Sequence, residues 1–354
     1  MKKIKILLFT LTITAVSFVL SGCIPGTSNS LPVVINLPSN WSYVNSMAVG
    51  NNVLLLGGAL NNASGAVGEY NLASGMFSDL SSQMQSLHFQ HVNSITFLNN
   101  KFYIAGDSNS GADFAYLDPL TNIFTPLNFN IGNFSTFKSI STDGTSILIG
   151  GIGSNSPLLI YNPSNLYTFT PLNVYYNFEV NNVLWDGNEY LIDGLNQAYN
   201  TGVLYLDKSN TSIDISNYLP LYTGALGAAG YNGQQFLIWS KNNSTSTWPN
   251  GYYQMLSFNP AINNVSPITA FATNLSIPSN GITGSNGWFV IGGTLSSQPY
   301  FVKYNLTGNP IVLSSYLPNN VSSISSVFTD GSNIYVAGNY ANSTAFFEIV
   351  KGQL

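Results

Sequence analysis

The chain has 354 residues, a formal charge of −5 and only 6% charged residues, while 45% are hydrophobic, so a large core can form under a surface carried by uncharged polar groups. All nine basic residues are lysine; Lys2, Lys3 and Lys5 lie at the start, and the remaining six face fourteen acids, a balance of −8 that argues against nucleic acid as a partner. Cys23 is the only cysteine, which excludes a disulfide within the chain and a thiolate metal cluster.

In chain order, Met1–Leu20 opens basic and continues as an almost unbroken apolar run over Ile4–Leu20, of signal-peptide length. A spanning helix usually needs about 20 apolar residues, so the flank decides between the two readings. That flank, Leu20-Ser21-Gly22-Cys23, resembles the lipobox of prokaryotic lipoproteins. The resemblance implies a signal peptide over 1–22, a lipidated Cys23 thiol, and a protein held on the extracellular side of the cell membrane; an uncleaved anchor helix is the alternative. Ile24–Ser30 reads as a polar tether, and seven residues reach at most ~25 Å, keeping whatever follows near the membrane. Leu31–Leu37 (LPVVINL) has the pattern of an outer strand with no partner in its own unit.

From there seven similar units follow, each opening on an inner strand: Val44-Asn45-Ser46-Met47, Val92-Asn93-Ser94-Ile95, Phe137-Lys138-Ser139-Ile140, Val180-Asn181-Asn182-Val183 and Ile324-Ser325-Ser326-Val327, with looser copies at Leu226–Ala229 and Asn280–Thr283. Turn pairs come next, Asn51-Asn52, Asn99-Asn100, Asp143-Gly144, Asp186-Gly187, Asn232-Gly233, Asn286-Gly287 and Asp330-Gly331, because asparagine and glycine tolerate positive φ. A second strand then ends in a small pair such as Gly57-Gly58, Ala105-Gly106, Gly150-Gly151 or Gly292-Gly293, with Asp193-Gly194 and Trp239-Ser240 as departures. Between second members the steps are 48, 45, 43, 46, 53 and 45 residues, the spacing of propeller blades. The third unit shows all four strands, at Phe137–Thr142, Ser146–Gly150, Pro157–Tyr161 and Tyr167–Leu172.

The order of a double glycine, an aromatic strand ending near Asn/Asp-Pro (Tyr161-Asn162-Pro163, Phe258-Asn259-Pro260), and an aromatic before a leucine (Phe124/Leu127, Phe169/Leu172) resembles the kelch repeat over residues 43–350. Phenylalanine, or nothing, stands where kelch repeats carry tryptophan. The expected fold is all-β: a seven-bladed β-propeller of four-stranded antiparallel blades spanning 31–354, its ring closed by the N-terminal strand 31–37 joining the last unit.

Propeller chemistries can be tested against the residue list. A sialidase-like site needs clustered arginines, and the chain has none. A galactose-oxidase-like copper site needs a cysteine crosslink and more ligands than Cys23, His88 and His91 provide. His88 and His91 lack a nearby third ligand, so neither a metal nor any other cofactor is expected. Four residues before the end of each inner strand's core stand Tyr43, His91, Thr136, Glu179, Ala225, Ser279 and Ser323. This ring makes Tyr43, His91 and Glu179 the candidate channel-mouth binding residues, and a His91–Glu179 pair a formal acid and base. Asp193, in place of a blade glycine, reads as a partly buried residue or, more plainly, as a cap for loop amides.

Asn-X-Ser/Thr occurs at Asn40, Asn62, Asn133, Asn210, Asn242, Asn243, Asn264, Asn274, Asn305, Asn320 and Asn342, candidate glycan acceptors in a secreted chain, although chance in so asparagine-rich a sequence gives about nine. The expectation is a monomeric, lipid-anchored binding or scaffolding module for a surface glycan, protein or small solute. A polysaccharide hydrolase or lyase with carboxylates at the channel mouth is the second reading. The scarcity of titratable groups favours the first.

Overall fold

A computed structural model describes residues 32–128, 134–153, 157–165, 168–172, 178–196, 201–208, 211–219, 226–240, 254–271 and 275–354. The leader, Cys23 and the sequons at Asn133, Asn210, Asn242, Asn243 and Asn274 lie outside these residues.

The sequence units become antiparallel meanders. The first blade consists of Trp41–Gly50, Val53–Leu60, Gly65–Asn71 and Phe77–Asp79, each strand pairing with the next. The second runs over His91–Leu98, Lys101–Ser108, Gly111–Asp118 and Ile123–Pro126, and the third over Phe134–Thr142, Ile147–Gly153, Leu158–Asn162 and Thr168–Pro171. The fourth begins at Phe178–Trp185 and ends at Thr211–Asp214, and the fifth begins at Leu226–Tyr231 and ends at Asn264–Ile268. A closing blade combines Val321–Thr329, Asn333–Tyr340, Ala345–Lys351 and, outermost, Val33–Asn36. Val33 pairs with Ile349 and Asn36 with Phe346, so the closing blade takes its fourth strand from the start of the propeller.

The expectation of seven four-stranded blades is corrected here. Six blades are four-stranded; the stretch from Leu275 to Val312 forms a five-stranded sheet instead. Its inner strand is split into Leu275–Ser276 and Ile282–Ser285, which both pair with Trp288–Leu295. The break falls at Ile277-Pro278-Ser279-Asn280-Gly281, where proline has no N–H for a ladder. The Gly281 N–H turns back to the Pro278 carbonyl at 2.8 Å. Asn280 leaves its own sheet and its carbonyl takes the Val327 N–H of the closing blade at 2.9 Å.

Turn chemistry also differs in detail. At Asn51-Asn52 and Asn99-Asn100 both residues have left-handed φ, between 51° and 61°, the geometry of a two-residue hairpin. The Asp-Gly turns are longer: Thr142 pairs with Ile147, and the Asp143 carboxylate closes the loop by accepting the Thr145 and Ser146 N–H groups at 2.8 and 2.7 Å. Aspartate substitutes a side chain for the missing turn hydrogen bond.

Apolar side chains fill the seams between neighbouring sheets. Leu55 and Val67 of the first blade pack with Val92, Ile95 and Phe102 of the second. Leu54, Leu56 and Tyr70 pack with Tyr335, Phe347 and Ile349 of the closing blade. The serine of the inner-strand signature stitches these seams. Ser46 Oγ accepts the Ile95 N–H at 2.9 Å, Ser94 Oγ that of Ile140 at 3.1 Å, and Ser139 Oγ that of Val183 at 3.0 Å.

Candidate functional site

Inner strands carry a bulge at one fixed place. Pairing slips between Val44 and Ser46, Val92 and Ser94, Phe137 and Ser139, Val180 and Asn182, Leu226 and Ala228, and Ile324 and Ser326. The extra residue is therefore Asn45, Asn93, Lys138, Asn181, Gly227 or Ser325, and a bulge re-aims its side chain away from the ladder. The second residue of the small pair makes this possible. A Cβ on Gly106 would collide with the His91 carbonyl, and one on Gly58 with the Tyr43 carbonyl. The first member serves the seam: a Cβ on Gly150 would run into Val180 and Val183 of the next blade.

The bulged residues form a hydrogen-bonded chain from blade to blade. Asn45 Nδ2 donates to Asn93 Oδ1 at 3.4 Å, and Asn93 Nδ2 to the Phe137 carbonyl at 2.9 Å and Thr136 Oγ1 at 3.2 Å. Lys138 Nζ donates to Asn181 Oδ1 at 3.0 Å, and Asn181 Nδ2 to the Leu226 carbonyl at 2.6 Å. Ser325 Oγ reaches the Val44 carbonyl at 2.6 Å, and Asn280 Nδ2 spans from the split sheet to the Asn93 carbonyl at 3.3 Å. Asn45, Asn93, Lys138 and Asn181, together with Asp107, Thr136 and Ser279, line a cavity of about 280 Å³.

Two side-chain pairs border this cavity. His91 Nδ1 lies 2.6 Å from Asp107 Oδ1, while Asp107 Oδ2 accepts the Thr136 hydroxyl at 3.0 Å. Lys138 pairs with Glu179. Burial, followed by the nearby Asp107 charge, raises the Tyr43 phenol above its ordinary pKa, so Tyr43 is a neutral hydroxyl donor at this mouth. His91 and Glu179 thus each belong to a pair, but with Asp107 and Lys138 rather than with one another. Asp107 follows directly on Ala105-Gly106, and Lys138 is the one charged residue among the bulge positions; that placement is the signal by which sequence reasoning finds them. Ala225 lies outside the described residues, and Ser323 contributes the carbonyl opposite Gly338.

The other candidates go elsewhere. His88, with φ of 64°, lines a separate cavity of about 430 Å³ with Gln85, Gln90 and Asn109, and among the described residues no group of three or more His, Cys, Asp or Glu could hold a metal ion. Asp193 caps no loop. It is buried within Tyr190–Asn196, accepts Asn182 Nδ2 at 2.9 Å, and has its pKa raised to about 7 by desolvation. Of the sequons, Asn40, Asn62, Asn264, Asn320 and Asn342 are exposed and Asn305 is half-buried. In Asn305 and Asn342 the Oδ1 accepts the hydroxyl of Thr307 or Thr344 at 2.8 and 2.7 Å, a local turn that leaves Nδ2 facing away.

No family model and no curated protein matches the sequence. Solved structures do match the fold. The β-propeller domain of the Trilobed protease from Pyrococcus furiosus, described as having an open velcro topology, aligns with a TM-score of 0.58 at 9% identity over 86% of this chain and 94% of its own. A chain of the mitotic checkpoint complex aligns at 0.61, 14% identical over 99% and 100%, and the Dos1 propeller at 0.59, 12% identical over 90% and 94%. These likenesses establish a β-propeller and nothing about ligand or activity.

Proposed function

We propose that this chain is an extracytoplasmic, monomeric, lipid-anchored binding module that holds a neutral polar ligand, a surface glycan or a small solute, at the channel mouth. The observation that carries the reading is charge pairing. His91 is engaged by Asp107 and Lys138 by Glu179, while the rest of the described wall is uncharged: the Asn45, Asn93 and Asn181 amides and the Thr136 hydroxyl, whose hydrogen-bonding capacity beyond their bonds to one another can meet ligand. Amides both donate and accept, which suits hydroxyl-rich partners. A hydrolase instead needs a carboxylic acid and a carboxylate left to act on opposite sides of one bond. A cavity of about 280 Å³ fits one terminal sugar or a small solute rather than a threaded polymer.

The lipobox resemblance at Leu20–Cys23 supports attachment through Cys23, and the double-glycine and aromatic pattern supports a kelch-like lineage. Use of the exposed sequons as glycan acceptors belongs to the same extracytoplasmic reading. The test is glycan-array binding of the full chain in detergent, compared with Asn93→Ala/Asn181→Ala. The double variant should lose at least about tenfold in affinity, by analogy with two removed ligand hydrogen bonds. Equal binding by both proteins would place the ligand elsewhere.

A further inference from the structure

The cavity of about 430 Å³ lined by His88 lies in the seam between the first and second blades, on the same face as the channel mouth. One wall is the loop that leads into the second blade, and the others are the turns after Leu60 and Ser108. The loop is held firmly. Met84 and Phe89 are buried in the core of the seam, and the Gly65 N–H donates to the Phe89 carbonyl at 2.7 Å. Ser81 Oγ accepts the Val67 N–H at 3.3 Å, which ties the short helix Ser81–Gln85 to the first blade. The cavity is therefore formed before a ligand arrives, which lowers the cost of binding.

A single rung of the second blade separates this cavity from the channel mouth. Asp107 lines the mouth and its neighbour Ser108 the seam cavity; on the facing strand His91 bonds Asp107, and its neighbour Gln90 lines the seam cavity. Side chains alternate along a strand, so consecutive residues open on opposite sides of the blade. The Gln90 N–H donates to the Asp107 carbonyl at 2.8 Å and holds the rung together. Two rings stand at this rim. The His91 side chain is 37% exposed, and Tyr43 of the first blade is near enough to feel the Asp107 charge. A molecule leaving the channel mouth towards the seam cavity passes over both.

Resting on the reading of the channel mouth as a binding site, we propose that the two cavities form one cleft for the end of a neutral oligosaccharide. The terminal sugar sits at the mouth, and the following units cross the rim at His91 and Tyr43 into the seam cavity. The seam wall suits such a chain. Gln85, Gln90 and Asn109 bring amides that both donate and accept, and Ser64 and Ser110 bring hydroxyls. Gln90 Nε2 donates to Asn109 Oδ1 at 2.8 Å, which orients both amides. His88 reaches the same wall from a left-handed backbone, φ 64°, a costly conformation that concentrates at ligand clamps. The rings at the rim offer faces to the C–H side of a sugar. Fourteen acids against six lysines beyond Lys5 repel an anionic chain. A small solute would occupy one cavity and leave the other unused.

Chain length is the test. The full chain in detergent is titrated by calorimetry with glucose and mannose, with maltotriose, cellotriose and mannotriose, and with trigalacturonate. We expect at least one neutral trisaccharide to bind about tenfold or more tightly than its monosaccharide, through the hydrogen bonds added in the seam cavity. Gln85 and Asn109 are exposed, so Gln85→Ala/Asn109→Ala should keep the thermal midpoint while bringing that trisaccharide to the affinity of the monosaccharide. Asn93→Ala/Asn181→Ala should weaken both sugars. A trisaccharide no tighter than its monosaccharide would overturn the inference and leave the channel-mouth reading standing. Trisaccharide binding untouched by the channel variant would split the cleft into two unrelated sites and overturn it too. So would preference for trigalacturonate, a gain that survives Gln85→Ala/Asn109→Ala, or absence of binding by every sugar.

Discussion

Glu348 is the most exacting test of the energetic reading. It sits in the third strand of the closing blade, paired with Val336 on one side and Val34 on the other, and is 0% exposed. Among the described residues neither carboxyl oxygen has a hydrogen-bond partner. A lone buried carboxylate is costly, so desolvation raises its pKa from 4.5 to about 7. The folded protein therefore binds the proton more tightly than the unfolded chain. Stability from this group is complete below pH 4.5 and is lost as pH rises towards and through about 7. The loss is roughly 3 kcal/mol, at about 1.4 kcal/mol per tenfold change in proton affinity. Glu348→Gln keeps shape and removes the charge. With an unfolding entropy of about 2 cal/mol/K per residue, the variant should melt about 4 °C above the wild type at pH 8 and within about 1 °C of it at pH 4. Differential scanning calorimetry of both proteins at both pH values decides the matter. An equal gap at the two pH values would refute the claim that Glu348 is held neutral by burial.

Three further outcomes follow from the seams and the leader. Ser94→Ala removes the acceptor of the buried Ile140 N–H, so the urea midpoint should fall by the equivalent of about 1–2 kcal/mol; no shift would mean the serine stitch contributes nothing. Asp193 occupies the seam position of Gly57 and Gly150, and Ala229 stands where the neighbouring units have Ile95, Ile140 and Val183. In a double-mutant cycle, Asp193→Gly and Ala229→Val should therefore couple by about 1 kcal/mol or more, the pair being more stable than the single changes add up to; additivity would show that the two sites do not share space. Cys23→Ser should abolish metabolic lipid labelling and move the protein out of the membrane fraction or leave its leader attached, and retained labelling would exclude the lipobox.

Much of the fold was legible because it repeats. Turn pairs marked the hairpins, and the small pair marked the place where one strand must pass close to its neighbour's carbonyl. All four strands of the third blade fall within a few residues of where the sequence put them. The uniform blade was not legible at Ile277–Gly281. There the long step of 53 residues and the loose signature hid a proline break and a strand split in two. The site was legible only in part. Tyr43, His91 and Glu179 share an aligned position, which periodicity reveals. Their partners do not: Asp107 comes from the second strand and Lys138 from the bulge, and a bulge has no residue signature of its own. Buried charge was the least visible feature, since nothing local marks Glu348 as different from a solvated carboxylate.

Binding against turnover at the channel mouth is measured most directly by product analysis. The full chain and its Glu179→Gln variant are incubated with a panel of neutral and acidic polysaccharides, and both retention and chain length are followed by size-exclusion chromatography with refractive-index detection. Retention of a glycan at unchanged chain length, by both proteins, is the predicted result, because Glu179 is paired with Lys138. Shortening of any polysaccharide by the wild type that disappears in Glu179→Gln would contradict it.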